Sequence, residues 1–219
     1  MGSADEQGGW GVTDPVTAVY LEKGRIWVFA AVIDWPGWCR KARSEEAALS
    51  SLTVYASRYA GVVGAAFAVG QLEVVGRLQG TPATDFGVPD VRGPWDDEPS
   101  RPGEADRLVD ILESCWRYFD AVVASSPAQL RKGPRGGGRD RDEIVGHVRD
   151  AERAYSARIG TRIPPHTPWP HQRAELANAL RAGTSTPKWP WRYAVRRCAW
   201  HVLDHAWEIE DKRPSSSSA

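Results

Sequence analysis

Tyr193-Ala194-Val195-Arg196-Arg197-Cys198-Ala199-Trp200-His201-Val202-Leu203-Asp204-His205-Ala206-Trp207-Glu208-Ile209-Glu210-Asp211 carries most of the information about the fold. At about 100° per residue, Val195, Cys198, Ala199, Val202, Ala206 and Ile209 fall on one apolar stripe centred on Val202. The stretch is therefore a helix, running from about Trp191 to Lys212. His205 lies roughly 60° and His201 roughly 100° from the centre of that stripe, on the same flank, so both look inward or along a helix seam. Two imidazoles four residues apart sit on adjacent turns, where both can reach a single ion. Val202 stands where the general-base Glu of an HExxH protease motif would be, so the pair is not of that kind. Asp204 points about 200° from Val202 and is expected to be solvated.

Upstream, Ile144, His147, Val148, Ala151 and Tyr155 form the inward stripe of a second helix that opens on an Asp140-x-x-Glu143 capping box and runs to about Ile159. Three of the five histidines thus fall on inward helical positions. Three histidines from two helices would leave an ion an open coordination position for water or a substrate atom. Glu208, on the same flank as His201 and His205, is a candidate to orient an imidazole or move a proton, with a surface salt bridge as its alternative role. Arg196, Arg197 and the basic glycine loop from Arg135 to Arg139 are candidates to clamp an acidic group, against a default of solvated surface. Cys198 is expected to be a small buried apolar residue, with a fourth-ligand role as the alternative. His166 and His171 belong to a Pro-rich loop and are not counted as ligands.

Two more helices complete this half. Leu108, Ile111, Leu112, Cys115, Phe119, Val122 and Val123 mark one that ends near Ser126-Pro127, and Gln172 to Ala182 form a shorter one between proline-rich breaks. Trp191 aligns with the core stripe, whereas Trp200 and Trp207 point away, towards the N-terminal unit or a partner subunit.

The N-terminal part has a different grammar. Thr17 to Leu21 and Ile26 to Ile33, around Glu22-Lys23-Gly24-Arg25, predict a β-hairpin. Asp34-Trp35-Pro36-Gly37-Trp38 predicts a turn, Ser44 caps a helix from about Glu45 to Ala60, and Leu72 to Leu78 add a strand. Pro82, Pro89, Pro94, Pro99 and Pro102 mark residues 80–103 as a linker or a surface-hugging arm. The expected architecture is α+β, a small ββα(β) unit (1–79) followed by the arm, a helical bundle (104–214) and a low-complexity tail (215–219).

Composition narrows the function classes. Among 219 residues, 28 Lys and Arg balance 28 Asp and Glu, which removes the electrostatic footprint of a protein that grips nucleic acid through phosphates. No apolar stretch is long enough to span a membrane, and MGSADEQGG has neither a basic n-region nor an apolar h-region, so a cytoplasmic location is expected. Cys39, Cys115 and Cys198 are widely spaced and odd in number, against a disulfide framework or a cysteine zinc site. The eleven Trp beside one Met suggest a firm scaffold.

The helix from Tyr193 to Asp211 with its His201-x-x-x-His205 pair, taken with Asp142-Glu143-Ile144-Val145-Gly146-His147-Val148, resembles the DinB-like (YfiT-like) metal-binding four-helix-bundle superfamily over about residues 104–212. That superfamily takes its ligands from one His on the second helix and an HxxxH pair on a later one, which implies His147, His201 and His205 here. The implied cofactor is a divalent transition metal, and three imidazoles suit Zn, Ni, Fe or Co alike. The resemblance implies a low-molecular-weight thiol of the mycothiol or bacillithiol type as well. The implied activity is a metal-dependent thiol S-transferase, isomerase or hydrolase acting on a small electrophilic substrate. Glu208 and Arg197 are the candidate catalytic residues.

Val28-Phe29-Ala30-Ala31-Val32-Ile33-Asp34-Trp35-Pro36-Gly37-Trp38 followed by Ser44-Glu45-Glu46-Ala47-Ala48-Leu49 resembles the HicB-like antitoxin module of strand, Pro-Gly turn, strand and helix. Where that family adds a DNA-binding segment, this chain continues into a helical bundle. The alternative function is a non-catalytic metal-binding or HicB-like protein-interaction module. A small-molecule substrate is the expected partner, with no membrane, no nucleic acid, and a homodimer as a further candidate.

Overall fold

The computed structural model describes residues 16–133 and 137–214. The expectations for residues 1–15, for Arg135 in the basic loop and for the tail 215–219 lie outside the described residues. The protein is α+β. Strands β1 (Val16–Lys23) and β2 (Val28–Val32) form the expected hairpin, with Val19 opposite Val32 and Lys23 opposite Val28. Strand β3 (Cys39–Ala42) pairs antiparallel with β2, and β4 (Gln71–Gln79) pairs parallel with β1, giving the order β3-β2-β1-β4. Composition does not mark β3, because Cys39-Arg40-Lys41-Ala42 is short and mostly polar. Only the HicB-like resemblance places a strand there.

The Ser44 hydroxyl caps α1 (Glu45–Val54) by accepting from the Ala47 amide at 3.2 Å. The helix expected to continue to Ala60 breaks at Tyr55 and restarts as α2 (Ala56–Val63). At the break the Tyr55 ring is held by tertiary contacts, with the Arg40 guanidinium 3.8 Å above its centre and the Trp207 ring 5.2 Å away. Local periodicity cannot register such contacts.

After the short α3 (Pro82–Phe86) come α4 (Glu104–Ala124), α5 (Arg141–Arg158), α6 (Trp169–Arg181) and α7 (Trp191–Asp211). Helix α7 is the centre of the molecule. Every residue from Trp191 to Leu203 is buried, on all sides of the helix. One flank packs against α4, α5 and α6, and the opposite flank meets the sheet, where Trp200 lies edge-on to Phe29 with ring centres 6.3 Å apart. Trp200 and Trp207 are thus both taken up within the chain, and Trp191 joins the core. The Pro36-Gly37 turn also touches α7. Gly37 has φ +93°, and a Cβ there would come within 2.8 Å of Leu203 Cδ1 and 3.2 Å of the Ala199 carbonyl oxygen, so glycine alone fits. One apolar cluster runs from Val19, Leu21 and Ala30 through Trp38, Leu52 and Tyr59 to Phe119, Ile144, Val202 and Ile209.

The proline-rich segment is fastened to this frame from both sides. On the sheet, the fully buried Glu22 carboxylate accepts from Thr84 Oγ1 at 2.6 Å and from the Asp90 and Val91 amides at 3.0 and 3.1 Å. On α7, Tyr193 donates to the Asp90 carbonyl at 2.7 Å, Arg196 forms a buried bidentate pair with Asp96, and Arg197 donates to the Pro89 carbonyl. Arg192 is bidentate to Glu104 at 2.8 and 2.6 Å and reaches the Pro99 carbonyl at 2.9 Å. The solvated-surface default for Arg196 and Arg197 is thereby corrected: both are interior residues. Among the described residues no helix is long and apolar enough to cross a membrane.

Two features of the fold have measurable consequences for stability. The Arg192 guanidinium, working against burial, holds the Glu104 carboxyl down to about 2 from an ordinary 4.5. The folded state thus prefers the ionised form, and its contribution is complete above the unfolded pKa and disappears as pH falls through the folded one. Glu104→Gln should cost about 3 kcal/mol at pH 7 and flatten the loss of stability between pH 5 and 2 in urea titrations. Gly146 lies inside α5 and is exposed, and a methyl group placed on its Cα would meet nothing within 4 Å. Gly146→Ala should raise the unfolding free energy by about 0.5–1 kcal/mol in the same titrations.

Candidate metal centre

Two local devices set the helices that carry the histidines. At the start of α5 the Asp140 amide donates to Glu143 Oε2 at 2.8 Å, closing the expected capping box. Before α7, Pro190 precludes helix extension upstream and the Trp191 amide donates to Ser185 Oγ at 3.0 Å. The seam between α5 and α7 then brings His147, His201 and His205 together. Their ring centres form a nearly equilateral triangle of 4.9, 4.9 and 4.6 Å, and one nitrogen from each ring lies within 4.8 Å of the other two. Nε2 of His147 and Nε2 of His201 are 3.1 Å apart. Two imidazoles bound tetrahedrally at ~2.0–2.1 Å from one ion have nitrogens roughly 3.3 Å apart, so the observed separation suits a shared cation.

The electrostatics favour the same use. Burial, then the neighbouring His205 and His147, push the His201 imidazole down to about 2, and burial with His205 and Arg139 lowers His147. Both rings are therefore neutral near pH 7, with lone pairs free to bind a cation. His205 Nδ1 is 2.8 Å from Glu208 Oε2, and Lys212 Nζ donates to Glu208 Oε1 at 2.5 Å. The hydrogen bond with His205, opposed by burial and aided by Lys212, holds the Glu208 carboxyl down to about 2. A carboxylate at Nδ1 fixes the tautomer that donates there and leaves Nε2 for the ion. Of the roles open to Glu208 from sequence, the geometry gives it that of orienting an imidazole, and its salt bridge to Lys212 serves the same end.

The structure separates the remaining sequence candidates. His201 is buried, His205 is half-buried, and His147 is the most exposed of the three, so the cluster faces solvent on the α5 side. Cys198 is buried, burial raises its thiol far above the ordinary range, and it stays outside the ligand cluster, as do His166 and His171. Arg197 is not gathered with Glu208. Besides Pro89, its guanidinium lies 3.4 Å from the Tyr155 hydroxyl. Tyr155 is legible in the sequence only as a core position, yet it forms a wall of the site, edge-on to His201 at 5.8 Å and stacked on Trp189 at 5.3 Å. Lys212 also escapes the sequence reading, although its spacing of four from Glu208 is the signature of a helical ion pair. Asp204 faces Arg40 at 3.7 Å and is 39% exposed, consistent with its outward angle.

Comparison of the chain with protein-family models, with curated proteins and with solved structures gave no match. The site itself therefore carries the functional conclusion. Because Glu208 touches His205 but belongs to no ligand position, Glu208→Ala should leave the helical circular dichroism unchanged and weaken metal affinity roughly 10- to 100-fold in chelator competition.

Proposed function

We propose that His147, His201 and His205 hold one divalent transition metal, and that the protein is a metal-dependent enzyme of the DinB-like type acting on a small electrophile. The observation that carries this reading is the convergence of three imidazoles from two helices, one of them oriented by a carboxylate. A divalent cation held there supplies Lewis acidity, which favours the deprotonated form of a thiol or of water near neutral pH. The nucleophile is a low-molecular-weight thiol of the mycothiol or bacillithiol type, or water. It comes from outside the chain, because Cys39, Cys115 and Cys198 are all buried and burial keeps their thiols protonated.

The chain's own residues divide the remaining work. Glu208 holds the His205 ring, Tyr155, backed by Trp189, forms an aromatic wall beside His201, and the exposed side at His147 admits the substrate. Arg197 acts through Tyr155 as a positioning residue. The sheet, whose HicB-like resemblance is part of this proposal, serves as the outer support of α7. The donor set accommodates Zn, Ni, Fe or Co.

Elemental analysis of the purified protein should find close to one transition-metal ion per chain, falling below about a tenth of that in His201→Ala, and thiol consumption with a simple electrophile should fall in parallel. Native protein without a stoichiometric ion, with His201→Ala unchanged in metal content and stability, would sink the reading.

A further inference from the structure

Arg196 and Arg197 each leave one donor unused. Their Nε atoms are buried and have no hydrogen-bond partner among the described residues, while the terminal nitrogens of both guanidiniums are engaged. The two residues are 6% and 8% exposed. Both line one small cavity of about 20 Å³ between α7 and the sheet, walled further by Tyr20, Cys39, Pro89 and Trp200. That volume holds one water-sized guest.

The character of the walls selects the guest. None of the described residues lining the cavity is Asp or Glu. Arg196 is neutralised by Asp96, whereas the partners of Arg197 are a carbonyl and a phenol, so its charge has no direct counter-ion. Cys39 and Tyr20 also line the cavity, both kept protonated and uncharged by burial. Two unpartnered Nε–H groups, one on a guanidinium whose charge is not offset by a carboxylate, favour an anion over a neutral water. Glu22 is a further carboxylate in the sheet, and its oxygens are already occupied by Thr84, Asp90 and Val91.

We propose that this cavity is a binding site for a single monatomic anion of halide size, held by Nε–H of Arg196 and Nε–H of Arg197. The cavity lies on the sheet side of α7 and includes none of the three histidines, while the far end of Arg197 reaches the Tyr155 hydroxyl beside His201. The bound anion neutralises Arg197, and through it tightens the contact of α7 with the Pro89 strap and with the sheet.

Thermal unfolding of the full chain at constant ionic strength, with sodium chloride exchanged for sodium gluconate, tests this. Gluconate is a monovalent anion too large for the cavity. Chloride should raise Tm saturably, by about 3–5 °C once tenfold above its dissociation constant. Arg197→Lys, which keeps the charge but loses the Nε–H, should abolish the saturable part. Because that variant could fail to fold, crystals of the native protein grown in bromide provide the second readout, with an anomalous peak expected in contact with both Nε atoms. Equal Tm values in chloride and gluconate, or a cavity holding water and no anomalous scatterer, would overturn the proposal.

Discussion

The burial of α7 on every side from Trp191 to Leu203 governs how the other elements are arranged. A helix that carries Arg192, Arg196 and Arg197 cannot be buried all round unless each guanidinium is given partners, since an unpaired buried cation costs several kcal/mol. The partners come from the proline-rich segment and the start of α4: Glu104 for Arg192, Asp96 for Arg196, and the Pro89 carbonyl for Arg197. That segment has to lie along α7 to supply them. Glu22 holds its other side to the sheet, so strap, sheet and helix are fixed together.

Rigidity of α7 matters for the histidines it carries. A cluster that binds a cation must keep its nitrogens within a few tenths of an ångström, which needs supporting contacts around each ring. His201 has the packed side, beside Tyr155 and Trp200, and His205 has the carboxylate. His147, from the neighbouring helix, is left towards solvent. The arrangement separates a packed side beside His201 from a more exposed edge at His147.

Much of this is legible along the chain. The apolar stripes of α4, α5 and α7 locate those helices to within a few residues, and the spacing of His201 and His205 on α7 with His147 on the stripe of α5 names the cluster the fold brings together. The hairpin and β4 are legible from β-branched and aromatic runs. Strand β3 is not, because its four residues carry almost no apolar signal and gain their pairing from β2. Nor is the break at Tyr55, whose ring is claimed by Arg40 and Trp207 from elsewhere in the sequence. Arg196 and Arg197 mislead for a related reason: periodicity assigns charges to the outside of a helix, and that holds only where one face is covered.

Local period and residue chemistry at fixed spacing were enough to establish the α+β class, the hairpin and β4, the long helices and the three histidines. They could not establish that α7 is covered on both flanks, that three arginines lie inside, that Tyr155 walls the site or that two arginines with unpartnered Nε atoms line one cavity. Those features came from the folded chain alone. The physical reason is that each depends on contacts between residues far apart in the chain, and such contacts leave no period in the sequence.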